Sequence, residues 1–369
     1  MYSGTLAKFS LTRAGRVAIP IVVLGFAGVE VGRRSLAENP SNPKYWAQRA
    51  AEAEDRNESP VAALTRAVEL APREAIYATR LGLAHEAEGE LVLAEFALRR
   101  GAELSRKYEP QWNLLNFFFR RARWEDFWPQ AATTLATSFG ERVALFDLCS
   151  RAEGGAERLE RILPAAHEVR FRYTAFLMGR GEYARAGGFL EGLASSTSGE
   201  DVVVLNAWCE TLLENFEVGA AERSWKKLRS RGLLKEEAPP WQAPDVKGAT
   251  VHRLGEGAWQ ILLSGEQPEQ CTLLTRVFES SLGKSRFEWS MDAELSAAAG
   301  LSWQVESYER TPRVLAKSGE LRSGAGSLDF DASPMGSVRI TLQFRRPLGS
   351  VRAEGRVAIK DLRVTERRP

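Results

Sequence analysis

The chain has 369 residues, 44% hydrophobic and 27% charged, which exceeds one typical domain, allows a sizeable core and excludes a globally disordered chain. Its 50 Lys and Arg against 48 Asp and Glu leave a formal net charge of +2 with no concentrated basic face, so nucleic acid is not an expected partner. The three cysteines, Cys149, Cys209 and Cys271, include no C-x-x-C and so indicate neither a zinc site nor a disulfide framework, although spacing leaves a bridge between any two of them open.

Residues 17–31, V-A-I-P-I-V-V-L-G-F-A-G-V-E-V, are apolar except for Glu30 and are bracketed by Arg13, Arg16, Arg33 and Arg34. As a helix they span about 22 Å against a hydrocarbon core of about 30 Å, so crossing a bilayer requires the flanking arginines to snorkel. A retained anchor over residues 17–32, a cleaved signal peptide with small residues near Gly25 and Ala27, and a peripheral segment all fit, with the anchor preferred. Lys8, Arg13, Arg16 and the amino terminus slightly outweigh Arg33 and Arg34, favouring an N-terminus inside and the remainder outside. For a bacterium the expectation is a single-pass inner-membrane protein whose C-terminal part is periplasmic or otherwise extracytoplasmic. Residues 1–40 then form the anchor segment.

After the N-P-S-N-P break at 39–43, residues 41–235 are rich in Ala, Leu, Glu and Arg with helical periodicity. Trp112, Leu115, Asn116 and Phe119 follow the first-helix signature W-x2-L-G-x2-Y of a tetratricopeptide repeat, with Asn and Phe standing for Gly and Tyr. Leu81, Gly82, His85, Ala94, Leu98 and Gly101 match the same offsets, and Ala186 and Leu190, then Trp208, Leu212, Ala221 and Trp225, give further copies. Small residues at Gly82, Ala94, Gly101, Asn116, Ala186 and Ala221 are expected where paired helices approach closely. The spacing predicts five or six irregular hairpins in an α-solenoid. Pro129 suggests that the helix after Trp112 begins late, which leaves Arg123, Trp124, Phe127 and Trp128 in an aromatic turn. Trp124, Phe127 and Trp128 are read as a partner-binding patch or as a plug between repeats.

Three prolines in the linker at 235–244 end this pattern. Residues 236–369 then alternate with the period of half-buried strands: Trp259, Ile261 and Leu263; Phe287, Trp289 and Met291; Leu301, Trp303 and Val305; Val338, Ile340, Leu342 and Phe344; Val357 and Ile359. An antiparallel β-sandwich of the jelly-roll kind follows. Trp289 and Trp303 belong to its core by their alternation. Trp241, Trp259, Gln267, Gln270 and Tyr308 are the candidates for a glycan-binding rim, because sugars stack on exposed rings between hydrogen-bonding side chains.

Catalytic, cofactor and metal motifs are lacking. L-G-K-S at 282–285 lacks the first Gly of a phosphate loop, His85-Glu86 and His167-Glu168 have no second His one turn on, and no G-x-S-x-G occurs.

R-A-R-W-E-D-F-W-P-Q-A at 121–131, A-L-F-D-L-C at 144–149, L-S-G-E-Q-P-E-Q-C at 263–271, G-L-S-W-Q-V at 300–305 and G-R-V-A-I-K-D-L-R-V at 355–364 carry a wider resemblance. The chain resembles a bacterial envelope family of membrane-anchored tetratricopeptide-repeat proteins with a C-terminal sandwich like a carbohydrate-binding module. The resemblance implies a non-enzymatic accessory protein of exopolysaccharide or O-antigen assembly and export. Its partners would be a protein of that machinery, a polysaccharide, and the membrane. A purely protein-binding scaffold with a structural sandwich, and an enzyme of glycan cleavage or transfer, are the alternatives.

Overall fold

The computed structural model describes residues 39–137, 142–235, 239–255, 257–280, 283–297, 299–332 and 336–366. The expected anchor at 17–32 lies outside them; among the described residues, no helix is long and apolar enough to cross a membrane. The chain divides into two compact units, one ending at Pro164 and the next beginning at Ala165. The change of texture at 235–244 therefore falls inside the second unit.

The first unit contains, among its described residues, four helical hairpins. They are α1 (Pro43–Asp55) with α2 (Val61–Leu70), α3 (Ala75–Ala87) with α4 (Leu91–Leu104), α5 (Tyr108–Arg120) with α6 (Trp124–Thr137), and α7 (Val143–Arg151) with α8 (Gly155–Ile162). Asn42 caps α1 through its side chain, accepting the Lys44 N–H at 3.0 Å, and Pro43 supplies the first-turn φ. The fourth hairpin is the irregular one, with helices of only nine and eight residues.

Most hairpins close in the same way. A single left-handed residue follows the first helix, Asn57 at φ 55, Gly89 at 82 and Ala122 at 52, and the next N–H bonds back to a carbonyl five residues earlier. Those bonds are Glu58 to Ala53, Glu90 to His85 and Arg123 to Phe118, at 2.8 to 3.0 Å. This geometry satisfies carbonyls that the helix end leaves open.

Close approach explains the small residues. A Cβ on Gly82 would lie 2.6 Å from Leu98 Cγ and 2.9 Å from the Leu98 backbone nitrogen, and one on Gly101 would meet the Thr79 backbone. Gly82→Ala therefore forces α3 and α4 apart. It is expected to destabilise the first unit by about 1–3 kcal/mol, read as a lower denaturation midpoint with unchanged ellipticity.

One expectation is corrected. The helix after Trp112 does not begin at Pro129 but at Trp124, with Pro129 inside it. The turn is only Arg121, Ala122 and Arg123. Proline removes the N–H that would reach the Glu125 carbonyl, and both residues are exposed, so water can satisfy the oxygen.

The second unit holds two further hairpins, α9 (His167–Gly179) with α10 (Tyr183–Ser196) and α11 (Val202–Glu214) with α12 (Val218–Ser230). Gly181 and Phe216 take the left-handed position in their turns. Nine strands follow among the described residues: β1 (Ala249–Gly255), β2 (Ala258–Ser264), β3 (Gln270–Glu279), β4 (Lys284–Leu295), β5 (Ser302–Ser307), β6 (Val314–Lys317), β7 (Gly324–Asp331), β8 (Ser337–Arg345) and β9 (Glu354–Glu366). They form a five-stranded sheet ordered β1-β2-β9-β4-β7 and a four-stranded sheet ordered β3-β8-β5-β6, with antiparallel neighbours throughout. The chain passes from one sheet to the other at most connections, an ordering of the jelly-roll kind. Residues of both sheets share one core, including Ile261, Phe287, Trp303, Ile340 and Val357. Every strand expected from alternation is present. Lys284 and Ser285 open β4 rather than a phosphate loop.

Val277 of β3 is buried in the core of α10 to α12, beside Leu212, Trp225 and Leu228. Glu222 of α12 accepts the Glu279 backbone N–H at 2.7 Å, and the Tyr308 ring stands 5.1 Å from that of Phe216. Sandwich and last hairpins thus share a packed seam.

Candidate functional site

The aromatic residues at 124–128 are brought together in the third hairpin. Phe127 is fully buried, and its ring stands 5.8 Å from Trp124, 5.1 Å from Trp128 and 5.9 Å from Phe119. It plugs the hairpin. Trp128 is held by its indole N–H, which donates to the Glu153 carbonyl at 3.0 Å, and it is 5% exposed. Trp124 is half-buried.

Beneath them, Arg123 bonds both Glu95 and Asp126, and Arg99 reaches Glu95 at 2.8 Å and Asp126 at 2.9 Å. The hydrogen bond from Arg123 holds the Glu95 carboxyl below its ordinary value against the opposing effect of partial burial, and Arg99 reinforces it. Gln111 anchors the same hairpin from the other side. Its amide donates to the Ala102 and Ser105 carbonyls at 2.7 and 2.9 Å, and its oxygen accepts from Gln130 at 2.7 Å. Nothing in the sequence singled out Gln111; a glutamine in an otherwise apolar helix stretch was the available signal.

The outer surfaces of Trp124 and Trp128 line a groove of about 490 Å³ between α6 and α8. Pro129, Ala132 and Ile162 complete its apolar lining, with Glu125 on the α6 side and Arg158 and Arg161 on the α8 side. The Arg158 guanidinium stands 5.6 Å from the Trp128 ring centre. Arg158 and Arg161 are one helical turn apart and exposed, and among the described residues neither has a carboxylate partner.

The five residues expected at a glycan rim are not brought together. Trp241 and Trp259 are each 7% exposed and belong to the sandwich core, Trp241 packing 5.8 Å from Trp303. Trp259 is covered because it points inward from β2, and Trp241, which precedes the first strand, is covered by the core rings of Phe287 and Trp303. Gln267 is buried and donates to the Ala353 carbonyl at 2.7 Å. Tyr308 is half-buried against Phe216, and Gln270 is exposed at the start of β3 opposite Arg345.

A depression of about 710 Å³ lies elsewhere on the five-stranded sheet, lined by Glu288, Ser290, Ser327, Asp361 and Arg363 with an edge of Trp289. A bulge makes it: pairing runs from Glu288 with Arg363 to Ser290 with Lys360, and Asp361 sits in the extra length at φ 58. No alternation rule could have located it, because its residues are the outward ones.

Glu222 and Glu279 meet at the seam between α12 and β3, beside Arg223, Lys226 and Arg229 in a hollow of about 500 Å³. Burial pushes the Glu222 carboxyl up to about 7; the Glu279 N–H bond opposes the rise, the Glu279 charge adds to it, and Arg276 and Arg223 oppose it. A raised carboxyl beside a second one is also the electrostatic condition for acid–base chemistry. Here, however, the Glu222 oxygen already accepts a backbone N–H, which gives it a structural task.

His85 bonds Glu90 at 2.6 Å and His167 bonds Asp201 at 2.7 Å. Among the described residues, no group of three or more His, Cys, Asp or Glu is placed to hold a metal ion. The three cysteines are free thiols, and burial pushes Cys149 and Cys209 up to about 12.

No family model and no curated protein matches the chain. Among solved structures, it is similar to Pseudomonas aeruginosa PilF at 18% identity and a TM-score of 0.29, over 55% of this chain and 91% of that one. It is similar to a MamA RS-1 double mutant at 12% identity and a TM-score of 0.31, over 51% of this chain and 93% of that one. The carbohydrate-binding module TmCBM61, solved with β-1,4-galactotriose, is similar at 16% identity and a TM-score of 0.24, over 36% of this chain and 91% of that one. Likeness this slight decides nothing about what this chain binds.

Proposed function

We propose that the chain is a non-enzymatic scaffold of the bacterial cell envelope whose helical hairpins dock a protein partner. The observation that carries this reading is the groove between α6 and α8: an open, tryptophan-lined surface bordered by two arginines that no carboxylate engages among the described residues. Tryptophan and arginine are the side chains that concentrate binding energy at protein interfaces. In this reading the apolar segment at 17–32 holds the chain at the inner membrane with both units outside the cytoplasm, where it serves the assembly or export of an envelope polysaccharide.

A photo-crosslinking residue placed at Glu125, on the rim of the groove, is expected to give one discrete protein adduct in intact cells. Adducts from remote exposed positions such as Glu69 but none from Glu125 would sink the docking site. Fractionation is expected to recover the full chain with inner membranes, accessible to protease from the periplasm, and recovery in the cytosol would refute the localisation.

A second reading gives the sandwich a glycan. The depression at Glu288, Ser290, Ser327, Asp361 and Arg363 favours it, since carboxylates, hydroxyls and a guanidinium converge there as sugar hydroxyls require. Envelope polysaccharide cast in a native gel is expected to retard the full chain, and Asp361→Asn with Arg363→Ala is expected to abolish the retardation. Unaltered mobility in every polysaccharide would leave the sandwich as a structural part of a purely protein-binding scaffold.

A further inference from the structure

We propose that the groove between α6 and α8 takes a peptide segment in which an apolar anchor residue is flanked by carboxylates, directed so that the acidic side lies along α8. This rests on the docking reading above and names the chemistry of its partner.

Three observations lead there. The lining from Trp124, Trp128, Pro129, Ala132 and Ile162 is apolar, and about 490 Å³ accommodates one or two large side chains. Along one wall, Arg158 and Arg161 present two guanidinium groups one turn apart that no carboxylate among the described residues engages, whereas Arg99, Arg120, Arg121 and Arg123 in the same unit are all paired with Glu or Asp. Fork-shaped donors with no carboxylate partner, at the rim of an apolar groove, complement carboxylates and speed encounter with them. On the opposite side, Glu125 repels a carboxylate, so charge fixes the direction of the segment as well as its sign.

The same lining argues against an anionic polysaccharide. A sugar residue stacked on Trp124 would need several side-chain acceptors and amides for its hydroxyls, and the α6 and α8 walls offer only Glu125 and the two arginines. The groove also lies between the second helices of their hairpins, so first-helix residues are not needed to complete it.

The test is selection of random twelve-residue peptides displayed on phage against the full chain, run in parallel on Arg158→Glu/Arg161→Glu. Both substitutions fall on exposed side chains that no carboxylate engages among the described residues, so only the Arg158 contact with the Trp128 ring is lost and the variant is expected to melt within a few degrees of the parent. The parent is expected to enrich peptides that place Asp or Glu beside Leu, Ile, Phe or Trp. The variant is expected to enrich Lys or Arg at those places. For a synthetic peptide from the parent selection, the variant should bind at least about tenfold more weakly, and the difference should shrink as salt rises from low to high.

Identical motifs from both selections, or affinities indifferent to the two arginines, would overturn the acidic-segment inference while leaving peptide docking standing. Ala132→Arg separates these outcomes by filling the groove: peptides it leaves unaffected bind elsewhere on the chain. If no peptide is enriched and a uronic-acid oligosaccharide instead binds in an Arg158- and Arg161-dependent way, the groove is a glycan site, and both the inference and the docking reading fail.

Discussion

Trp303→Ala is expected to destabilise the second unit by about 3–5 kcal/mol, a large share of the about 5–15 kcal/mol that holds an ordinary domain folded. Trp303 is fully buried where the two sheets face each other, with the ring of Phe287 at 4.8 Å, Trp241 at 5.8 Å and Trp289 at 6.1 Å. Truncation to Ala removes the ring on which these three pack, and β5, held between β8 and β6, cannot collapse far enough to fill the space. Trp303→Phe supplies the contrast. The indole N–H of Trp303 is buried and finds no partner among the described residues, so removing it relieves a desolvated donor while the phenyl ring keeps most of the contact. That variant is expected to lose no more than about 1.5 kcal/mol. Guanidinium unfolding followed by tryptophan fluorescence measures both; a Phe variant as damaged as the Ala variant would refute the expectation that a phenyl ring preserves the packing.

Glu222→Gln is expected to stabilise the second unit above pH 7 by about 2–3 kcal/mol and to make little difference near pH 4.5. Burial at the seam raises the folded carboxyl to about 7 from an ordinary 4.5, so between those values the folded state binds a proton that the unfolded chain has released. The stability contributed by the neutral form is therefore fully present below about pH 4.5 and is lost as pH rises through about 7. The groups facing Glu222 are Glu279, Arg276 and Arg223, and Glu279 is the one that opposes its ionisation. Glutamine keeps the oxygen that accepts the Glu279 N–H and discards the charge, so the variant isolates titration from hydrogen bonding. Denaturant midpoints for parent and variant at pH 5, 7 and 8.5 should diverge as pH rises. Parallel curves across that range would exclude Glu222 as the titrating group.

Much of the fold was legible because burial writes itself in period. Ile261, Trp303, Ile340 and Val357 each stand in a run of apolar residues two apart, and the structure places all four in the shared core. Gly82 and Gly101 announced a helix crossing because only glycine fits there. The hairpin turns were legible only where glycine marked them. Gly89 and Gly181 do so, but Ala122 and Phe216 adopt the same left-handed backbone without the usual residue, and the turn before Trp124 was accordingly read as too long. Phe216 holds its conformation beside Tyr308, a contact 92 positions away along the chain and beyond any local pattern.

Of the functional surfaces, Trp124 and Trp128 could be found as an aromatic cluster. Arg158 and Arg161 could not, because an exposed arginine on an amphipathic helix looks the same whether or not a carboxylate answers it. Trp241 and Trp259 were legible as large rings near polar turns, but only the packing of the two sheets shows that both rings are covered.

The seam between α12 and β3 has a consequence for proteolysis. A cut within 235–244 severs the chain yet leaves Val277 packed among Leu212, Trp225 and Leu228, and Glu222 bonded to Glu279. The two products should co-elute until denatured, and a sandwich prepared from residue 236 onward would expose to water an apolar face that α12 normally covers. The piece that keeps its packing when cut out is therefore the sandwich together with the last two hairpins, from about Ala165, and not one that begins where the strands do.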